Sequence, residues 1–248
     1  MRLPVIEGII RRRILLNYRV DPRVMQPLLP QPFRPKLHAG FAIVGVCLIR
    51  LEKIRPLGWP SLMGIASENA AHRVAVEWDA GAETREGVFI PRRDTNSLLN
   101  HYAGGRIFPG EHHFADFTVR DRNGHIGFRM ISHDRLVKTE LRASEATVLP
   151  QGSVFASPAE ASAFFEPGCV GWSACKDPQH LDGLRLKTYE WAVRPLAVEI
   201  VRSSFFADPT MFPAGSVEFD HALLMRDIRH EWHSEGRMLV RPSRSIQA

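Results

Sequence analysis

The chain has 248 residues, of which 44% are hydrophobic and 24% charged, as is typical of a soluble globular protein. The length suits one large β-rich domain spanning residues 1–248, and no apolar run is long enough to cross a bilayer. The net charge of +5 comes mostly from scattered arginines, not from a basic cluster with interleaved aromatics, so no nucleic-acid partner is expected.

The first third of the chain predicts strands separated by proline-rich turns. Residues 9–18 read as a strand, in which the arginine run 11–13 must point to alternating faces. Asp21 followed by Pro22 is typical of a capped helical turn. Residues 41–51 are apolar on both alternating faces, which is typical of a central strand that is covered on both sides.

Residues 68–78 form the next predicted strand, and its period of two separates two faces. Glu68 and His72 share one face with apolar residues, while Asn69 and Arg73 lie on the other face. A buried carboxylate needs a partner. Two interpretations stay open. Glu68 and His72 either lie at a solvated rim or against a structural arginine, or they form the polar floor of an apolar cavity.

The segment 87–135 carries most of the candidate functional groups. It predicts a short strand at 87–91 and then a helix that Asp94 caps and that ends at the pair Gly104-Gly105. A proline-containing elbow at 106–115 follows the helix and leads into the next strands.

The dipeptide Asn123-Gly124 predicts a two-residue β-hairpin in which Arg122 pairs with His125. This register separates an apolar face from a polar face. The apolar face comprises Ala115, Phe117, Val119, Ile126, Phe128 and Met130, and the polar face comprises His112, Asp116, Thr118, Arg129 and His133. Such a polar face more often marks solvent exposure than a ligand surface.

The rest of the chain adds strands and one short helix. The predicted elements are a strand at 136–143, a helix at 157–165 with a capping box, strand-like stretches in 184–206 broken at Pro195, and a strand at 220–232. No repeat or linker divides the chain. Many short strands and few helices predict a predominantly β fold of the α+β class, built as a barrel or as two sheets.

No motif predicts a metal or cofactor site. Glu111, His112 and His113 are adjacent on a predicted strand and point apart, so they cannot all bind one ion. The pair Gly104-Gly105 follows a helix, which excludes a dinucleotide-binding loop. We therefore predict that the protein uses no metal and no cofactor.

The cysteines predict a reducing, cytoplasmic location. Cys47, Cys169 and Cys175 are sparse, odd in number and without a recognised zinc spacing. The arginine run 11–13 lies inside an apolar stretch and not before it, so no secretion signal is expected. Cys47 belongs to the most apolar strand, which favours an inert thiol.

Several stretches together resemble a known superfamily. VDPRVMQPLLPQPF is a proline-rich amphipathic opening, SENAAHRVAVEW is a strand with a carboxylate at its start, and LLNHYAGGRIFPGEHHFA is a helix followed by a proline elbow. They are similar to the acetoacetate decarboxylase-like superfamily, above all to its uncharacterised YqjF-like branch, which WAVRPLAVEIVRSSFF and SVEFDHALLMRDIRHEW also resemble. The resemblance implies a mostly antiparallel β-cone or barrel around an internal cavity, with a few short peripheral helices.

The elbow departs from the pattern of the decarboxylases. In that family the proline precedes two lysines, one of which forms a Schiff base with a keto acid while its neighbour lowers its pKa. Here Pro109 precedes Gly110 and Glu111, neither of which can form an imine. The resemblance then implies that Glu68 matches the cavity carboxylate and that Glu111 and His112 stand where the amines would project.

We hypothesise that the protein acts on or binds a small organic (keto) acid-like ligand, as a lyase-like enzyme without the Schiff-base lysine. The predicted catalytic residues are Glu68, Glu111 and His112, which could exchange protons. The predicted substrate-binding residues are His72, Arg92, Arg106 and Arg129, and Arg93 is a further arginine that could grip a carboxylate in a bidentate way.

Three alternatives stay open at this point. The protein could be a non-catalytic binding or sensing barrel, or a scaffold whose cavity is filled by side chains. Lys138, on a neighbouring predicted strand, could act as a migrated amine in place of the missing elbow lysine. Because β-rich domains of this superfamily often assemble, a homo-oligomer is also left open.

Overall fold

The computed structural model describes residues 4–60, 62, 64–102 and 109–243, and most of them lie in β-strands. The described strands are β1 (Ile6–Val20), β2 (Arg34–Pro35), β3 (Leu37–His38), β4 (Phe41–Pro56), β5 (Ile65–Ala80), β6 (Glu83–Thr95), β7 (His112–Arg122), β8 (His125–Ser132), β9 (Lys138–Glu145), β10 (Val170–Ala174), β11 (His180–Thr188), β12 (Arg194–Ser203) and β13 (Val217–Leu239). The described helices are α1 (Pro22–Met25), which a 3-10 turn at Gln26–Leu28 follows, α2 (Leu98–Tyr102) and α3 (Pro158–Phe165). None of these helices has the length and apolar character that crossing a membrane requires.

The strands form one sheet that closes into two rings with a common wall. The larger ring runs β6-β7-β8-β9-β12-β13-β1-β4-β5 and returns to β6. The smaller ring uses the same β13-β1-β4-β5-β6 wall but closes through β10 and β11, because β11 pairs with β13 and β10 pairs with β6. The described pairings are antiparallel except β6–β7 and β6–β10. The fold is therefore predominantly β and mostly antiparallel with a few short helices, as expected.

Two long strands serve both rings by changing partners along their length. In β6, residues 88–90 pair with β10 and residues 93–95 pair with β7. In β13, residues 222–224 pair with β12 and residues 230–239 include the pairs with β11. The common wall therefore presents one face to each ring.

The two-sided apolar pattern of β4 follows from this position in the common wall. Val44, Val46 and Leu48 pack into the core of the larger ring, whereas Ile43 and Cys47 pack on the opposite face. The larger ring is filled by fully buried side chains such as Ile14, Leu16, Ile126, Phe128, Met130, Leu141 and Leu196. Because each such side chain contributes roughly 1.5–3 kcal/mol when buried, this filled interior supplies much of the stability.

Several local predictions are confirmed by the backbone. Asp21 is the N-cap of α1 and accepts a hydrogen bond from the backbone N–H of Arg23. Ser157 caps α3, where its side chain accepts from the N–H of Glu160. Arg122 pairs with His125 across the predicted hairpin, and its apolar face belongs to the core of the larger ring.

Two predictions about element ends are wrong. Asp94 does not cap a helix, because it lies within β6 and its carboxylate is bound by Arg92, while α2 begins only at Leu98. The predicted helix end at Gly104-Gly105 lies outside the described residues. Pro195 does not break the strand, because it is the second residue of β12, and its carbonyl accepts from Ala146.

Candidate functional site

The smaller ring borders a partly open cavity of about 130 Å³. Its walls come from β1, β4, β5, β6, β10, β11 and β13, together with the elbow that precedes β7. One side is apolar and is formed by Ile49, Leu51, Ile54, Ile65, Val88 and Ile90. The cavity lies against the face of the common wall that the larger ring does not use.

Three arginine side chains line the cavity, and none forms an ion pair with a carboxylate in the part of the chain that the structure describes. Each donates to a neutral group instead: Arg13 Nε to Cys47 Sγ (3.3 Å), Arg73 Nη2 to Asn17 Oδ1, and Arg93 Nε to Ser173 Oγ (2.9 Å). Arg73 Nε is buried without a partner among the described residues. Among the described residues, the cavity therefore carries three cationic side chains without a carboxylate partner.

Burial makes these charges costly. Loss of solvation is the main cause that lowers the pKa of Arg73 and of Arg93 to about 10, and the nearby charge of Arg13 contributes to the shift of Arg73. Both groups remain protonated at neutral pH. A buried cation without a counter-ion is unfavourable, so an anion entering the cavity would relieve the mutual repulsion of these groups.

Asp94 is the single acid among the described residues that line the cavity, and it is already engaged. Arg92 Nη2 lies 2.9 Å from Asp94 Oδ1 and 2.7 Å from Asp134 Oδ2. Burial raises the pKa of Asp94, while the hydrogen bond from Arg92 acts in the opposite direction. Asp94 is therefore paired with Arg92 and does not neutralise the three cavity arginines.

A buried hydrogen-bond chain orients Arg73. Arg73 donates to Asn17 Oδ1, which leaves Asn17 Nδ2 as the donor to His221 Nε2 at 2.9 Å. With Nε2 accepting, His221 Nδ1 carries the proton and donates to Asp220 Oδ1 at 2.5 Å. Although burial favours a neutral acid, hydrogen bonds from His221 and Ser153 lower the pKa of Asp220. This hydrogen-bond chain fixes the tautomer of His221, and each of its hydrogen bonds has a defined direction between Asp220 and Arg73 at the cavity.

The elbow enters the cavity through its backbone and through His112. Pro109 and His112 line the cavity, whereas Gly110 has a φ of +88° and lies against Ser173. A Cβ on Gly110 would lie 2.6 Å from Ser173 Cβ, so no larger side chain fits there without a shift. Burial lowers the pKa of His112 to about 3, which makes it a neutral imidazole at physiological pH.

Comparison with known families and structures identifies the fold. A family model described as "Uncharacterized conserved protein (COG2071)", DUF2071, matches residues 10–218. The chain belongs to the DUF2071 family. No curated protein matches this DUF2071 chain in sequence.

Solved structures similar to this DUF2071 protein have the acetoacetate decarboxylase fold. An acetoacetate decarboxylase from Legionella pneumophila is 12% identical, with a TM-score of 0.59 over 98% of this chain and 89% of that chain. An acetoacetate decarboxylase-like enzyme from Sphingomonas wittichii RW1 is 14% identical, with a TM-score of 0.56 over 98% and 95%. The enduracididine biosynthesis enzyme MppR, described as complexed with pyruvate, is 12% identical, with a TM-score of 0.58 over 96% and 91%. At these identities the likeness shows that the DUF2071 protein shares the fold.

The three predicted catalytic residues do not come together in this DUF2071 protein. Only His112 lines the cavity. Glu68 lies on the opposite face of β5, where Arg12 Nη2 approaches its Oε2 to 2.7 Å, and burial raises its pKa against that pairing. Glu111 is exposed. The catalytic roles of these residues stay predictions, and the positions of Glu68 and Glu111 argue against contact with a ligand in the cavity.

The predicted substrate-binding residues also lie elsewhere. His72 is fully buried beside Phe205, and its ring nitrogens lack hydrogen-bond partners among the described residues, although Nδ1 lies 3.9 Å from Asp94 Oδ2. Arg92 is held by acids, and Arg129 is exposed on β8. Arg106 lies outside the described residues. Arg93, which the sequence offered as a further carboxylate-binding arginine, does line the cavity.

Two interpretations were open for Glu68 and His72 on β5, and the contact between Glu68 and Arg12 favours the one in which Glu68 lies against a structural arginine. Ser67, Asn69, Ala71 and Arg73 line the cavity, whereas the face of Glu68 and His72 turns to the larger ring. The alternation of residues in the sequence separates the two faces of β5 but does not determine which face lines the cavity. The signals that were available were Arg73 within an otherwise small and polar face, and Arg13 opposite the central strand.

Lys138 and the three cysteines are the remaining side chains for which the sequence suggested a role or its absence. Lys138 is exposed at the start of β9, and it does not line the cavity. No lysine is found among the described residues of the cavity wall. Cys47 and Cys169 line the cavity, and all three cysteines are free thiols. Within the described ranges, no group of three or more acid, histidine or cysteine side chains is arranged to hold a metal.

Proposed function

We propose that this DUF2071 protein binds a small organic acid in the arginine-lined cavity and acts on it without imine chemistry. The observation that carries the proposal is the group of Arg13, Arg73 and Arg93, whose guanidinium groups meet only neutral partners among the described residues. Guanidinium groups recognise carboxylates through paired, charge-assisted hydrogen bonds. A carboxylate is therefore the ligand group that the cavity lacks.

The size and lining of the cavity limit the rest of the ligand. A cavity of about 150 Å³ accommodates a molecule of the size of benzene, and this one measures about 130 Å³. The apolar part of the lining includes Leu51, Ile54 and Ile65. These features favour a short apolar chain that carries one carboxylate, and the pyruvate named for the MppR complex is a ligand of that class.

One feature of the elbow and one feature of the cavity wall support the absence of imine chemistry. The position after Pro109 is Gly110, whose surroundings leave no room for a side chain. The described cavity wall contains no lysine, and Lys138 is exposed elsewhere. His112 is the histidine that lines the cavity, and because burial lowers its pKa to about 3, it stays neutral and could hydrogen-bond to the ligand more readily than act as a general base.

Calorimetric titration with three related compounds tests the binding proposal. We expect 2-oxobutyrate and butyrate to bind and to raise the melting temperature, whereas neutral butyramide should do neither. Arg93→Met should weaken binding about a hundredfold, which corresponds to roughly 2–3 kcal/mol for hydrogen bonds to a charged group. Arg129→Met, which removes an exposed arginine, is the matched control and should bind like the wild type.

Equal binding of butyrate and butyramide would contradict the proposal, as would an equal loss of affinity in both arginine variants. The second candidate function, a non-catalytic binding domain, is favoured if the ligand stabilises the protein but is recovered unchanged. Turnover that His112→Gln abolishes while leaving carboxylate affinity intact would support enzymatic action through His112.

A further inference from the structure

Cys47 lies at the centre of the proposed acid-binding site. It belongs to β4, is 8% exposed, and lines the cavity. Arg13 Nε donates a hydrogen bond to Cys47 Sγ at 3.3 Å. The thiol is therefore held within the same wall as the guanidinium groups and not within a sealed apolar core.

The guanidinium groups of Arg73 and Arg93 interact electrostatically with Cys47 Sγ. Burial is the main cause that lowers the pKa of Arg73 and Arg93, and an electrostatic interaction with Cys47 opposes the shift in both, so the sulfur lies near both guanidinium groups. Arg73 is 4% exposed, and its Nε finds no partner among the described residues. A ligand anion bound by Arg73 would consequently lie close to the thiol, which is the placement that makes an intramolecular-like reaction efficient.

We infer that Cys47 is a nucleophile that adds reversibly to the carbonyl carbon of a small 2-oxo acid. The inference rests on the proposed function, because the arginines must first bind the carboxylate. The carboxylate would lie on Arg73 and Arg93, and the adjacent carbonyl carbon would face Cys47 Sγ. This would place a sulfur nucleophile where the sequence provides no amine.

The step is a balanced addition. The bond between Sγ and the carbonyl carbon forms as the carbonyl π bond breaks, and the electron pair of that bond moves to the oxygen. The thiol proton ends on the same oxygen and gives a hemithioketal. This proton passes to that oxygen as the carbon–sulfur bond forms, and His112, which lines the same cavity as a neutral imidazole, can hydrogen-bond to the new hydroxyl group. Reversal regenerates the thiol and the 2-oxo acid, so no oxidant or reductant is consumed.

Carbon NMR with pyruvate labelled at its carbonyl carbon tests the addition directly. The wild type should show a protein-bound resonance in the tetrahedral range, beyond the hydrate signal of free pyruvate. Cys47→Ser and Cys47→Ala should both lose it, and Cys175→Ser, outside the described cavity wall, should keep it. Loss in Cys169→Ser but not in the Cys47 variants would overturn the assignment, because Cys169 lines the same cavity.

Alkylation rates supply a second readout that does not depend on the adduct being stable. Anionic iodoacetate should modify Cys47 about tenfold faster than neutral iodoacetamide, because the arginines raise the local concentration of the anion. Peptide mapping identifies the modified cysteine, and excess pyruvate should slow its modification. A faster reaction with iodoacetamide at Cys47 would contradict the inference.

Titration of pyruvate into the same proteins separates this inference from the proposed function. If the wild type and Cys47→Ser both bind pyruvate but the wild type gives no tetrahedral signal, the nucleophile assignment fails and acid binding stands. If neither protein binds any small carboxylate, the proposed function itself fails, and the inference fails with it.

Discussion

Two pairs of consecutive arginines divide between the two faces of the common wall. Arg12 and Arg92 are held by acids: Arg12 lies 2.7 Å from Glu68, and Arg92 lies 2.9 Å from Asp94, which itself borders the cavity. Arg13 and Arg93 turn to the smaller ring and donate to a thiol and a hydroxyl. Adjacent residues of one type therefore occupy opposite electrostatic environments.

The difference separates charges that are paired with acids within the fold from charges that, under the proposed function, would bind a ligand. On the larger-ring side, Asp121 receives two hydrogen bonds from Arg226 at 2.8 and 2.9 Å, so the pairing there extends into a network. On the cavity side, burial of Arg73 and Arg93 without carboxylate partners costs stability. Proteins retain such unfavourable groups where function needs them.

The sharpest test of this contrast substitutes the neighbours Arg92 and Arg93 separately by methionine. Arg92→Met leaves Asp94 buried and unpaired, so it should lower the free energy of unfolding by about 3–5 kcal/mol. Arg93→Met removes a buried cation that has no acid partner, so it should change stability by less than about 1 kcal/mol or raise it. Denaturant titration measures both, and equal losses would break the distinction between the faces.

A second test concerns Glu68, which the sequence suggested as catalytic. Glu68→Ala leaves the buried Arg12 guanidinium with only the more distant Asp121, at 3.8 Å, and should destabilise the protein by about 3 kcal/mol. Glu111→Ala, at an exposed position, is the control and should stay within about 0.5 kcal/mol of the wild type. A Glu68→Ala protein of wild-type stability that has lost carboxylate binding would instead restore Glu68 to the site.

The pH dependence of stability tests the packing of the larger-ring side. Burial lowers the pKa of His72 to about 3, below its usual value of 6.5, so the folded state holds it neutral while the unfolded chain takes up a proton. The stability that this group contributes is present above pH 6.5 and is lost as the pH falls towards 3. At pH 5 the loss from one such group is about 2 kcal/mol, at about 1.4 kcal/mol for each pH unit.

His72→Leu should therefore lose about 2 kcal/mol less stability than the wild type between pH 7 and pH 5. Both proteins should still be destabilised by acid, because burial also lowers the pKa of His112 to about 3 and of His230 to about 4. Parallel curves for the two proteins would show that His72 is not held neutral in the fold.

The smallest expected effect concerns the chain that orients Arg73. Asn17→Leu removes the acceptor of the Arg73 hydrogen bond, so the guanidinium should lose its fixed direction and carboxylate affinity should fall about tenfold, or roughly 1.4 kcal/mol. His221→Gln can keep an amide contact to Asn17 and should bind more tightly than Asn17→Leu. Calorimetry of both variants with butyrate measures this, and unchanged affinity in Asn17→Leu would remove the chain from the site.

The sequence was sufficient for the elements whose signals are local. The Asn123-Gly124 hairpin register follows from turn geometry, and the Ser157 cap follows from the helix-start pattern. The two-sided apolar character of β4 predicted cover on both faces, and the two rings provide it. The resemblance supplied the acetoacetate decarboxylase-like fold that the solved structures share.

The residues of the site could not be predicted in the same way, because they are brought together by pairing between strands that are distant in the sequence. Alternation placed Arg73 and His72 on opposite faces of β5, but the closure of the smaller ring through β10 and β11 decides which face meets the cavity. Cys47 appeared inert because its strand is apolar, and its contact with Arg13 arises only from the pairing of β1 with β4. Asp94 appeared to cap a helix because the partner that holds it lies two residues earlier in the same strand.

A crystal structure of the protein with bound 2-oxobutyrate tests the central claim most directly. The account predicts that the carboxylate oxygens lie within about 2.7–2.9 Å of guanidinium nitrogens from at least two of Arg13, Arg73 and Arg93. It would be contradicted if the ligand occupied another site at saturating concentration, or if these three arginines were found paired with acids of the protein itself.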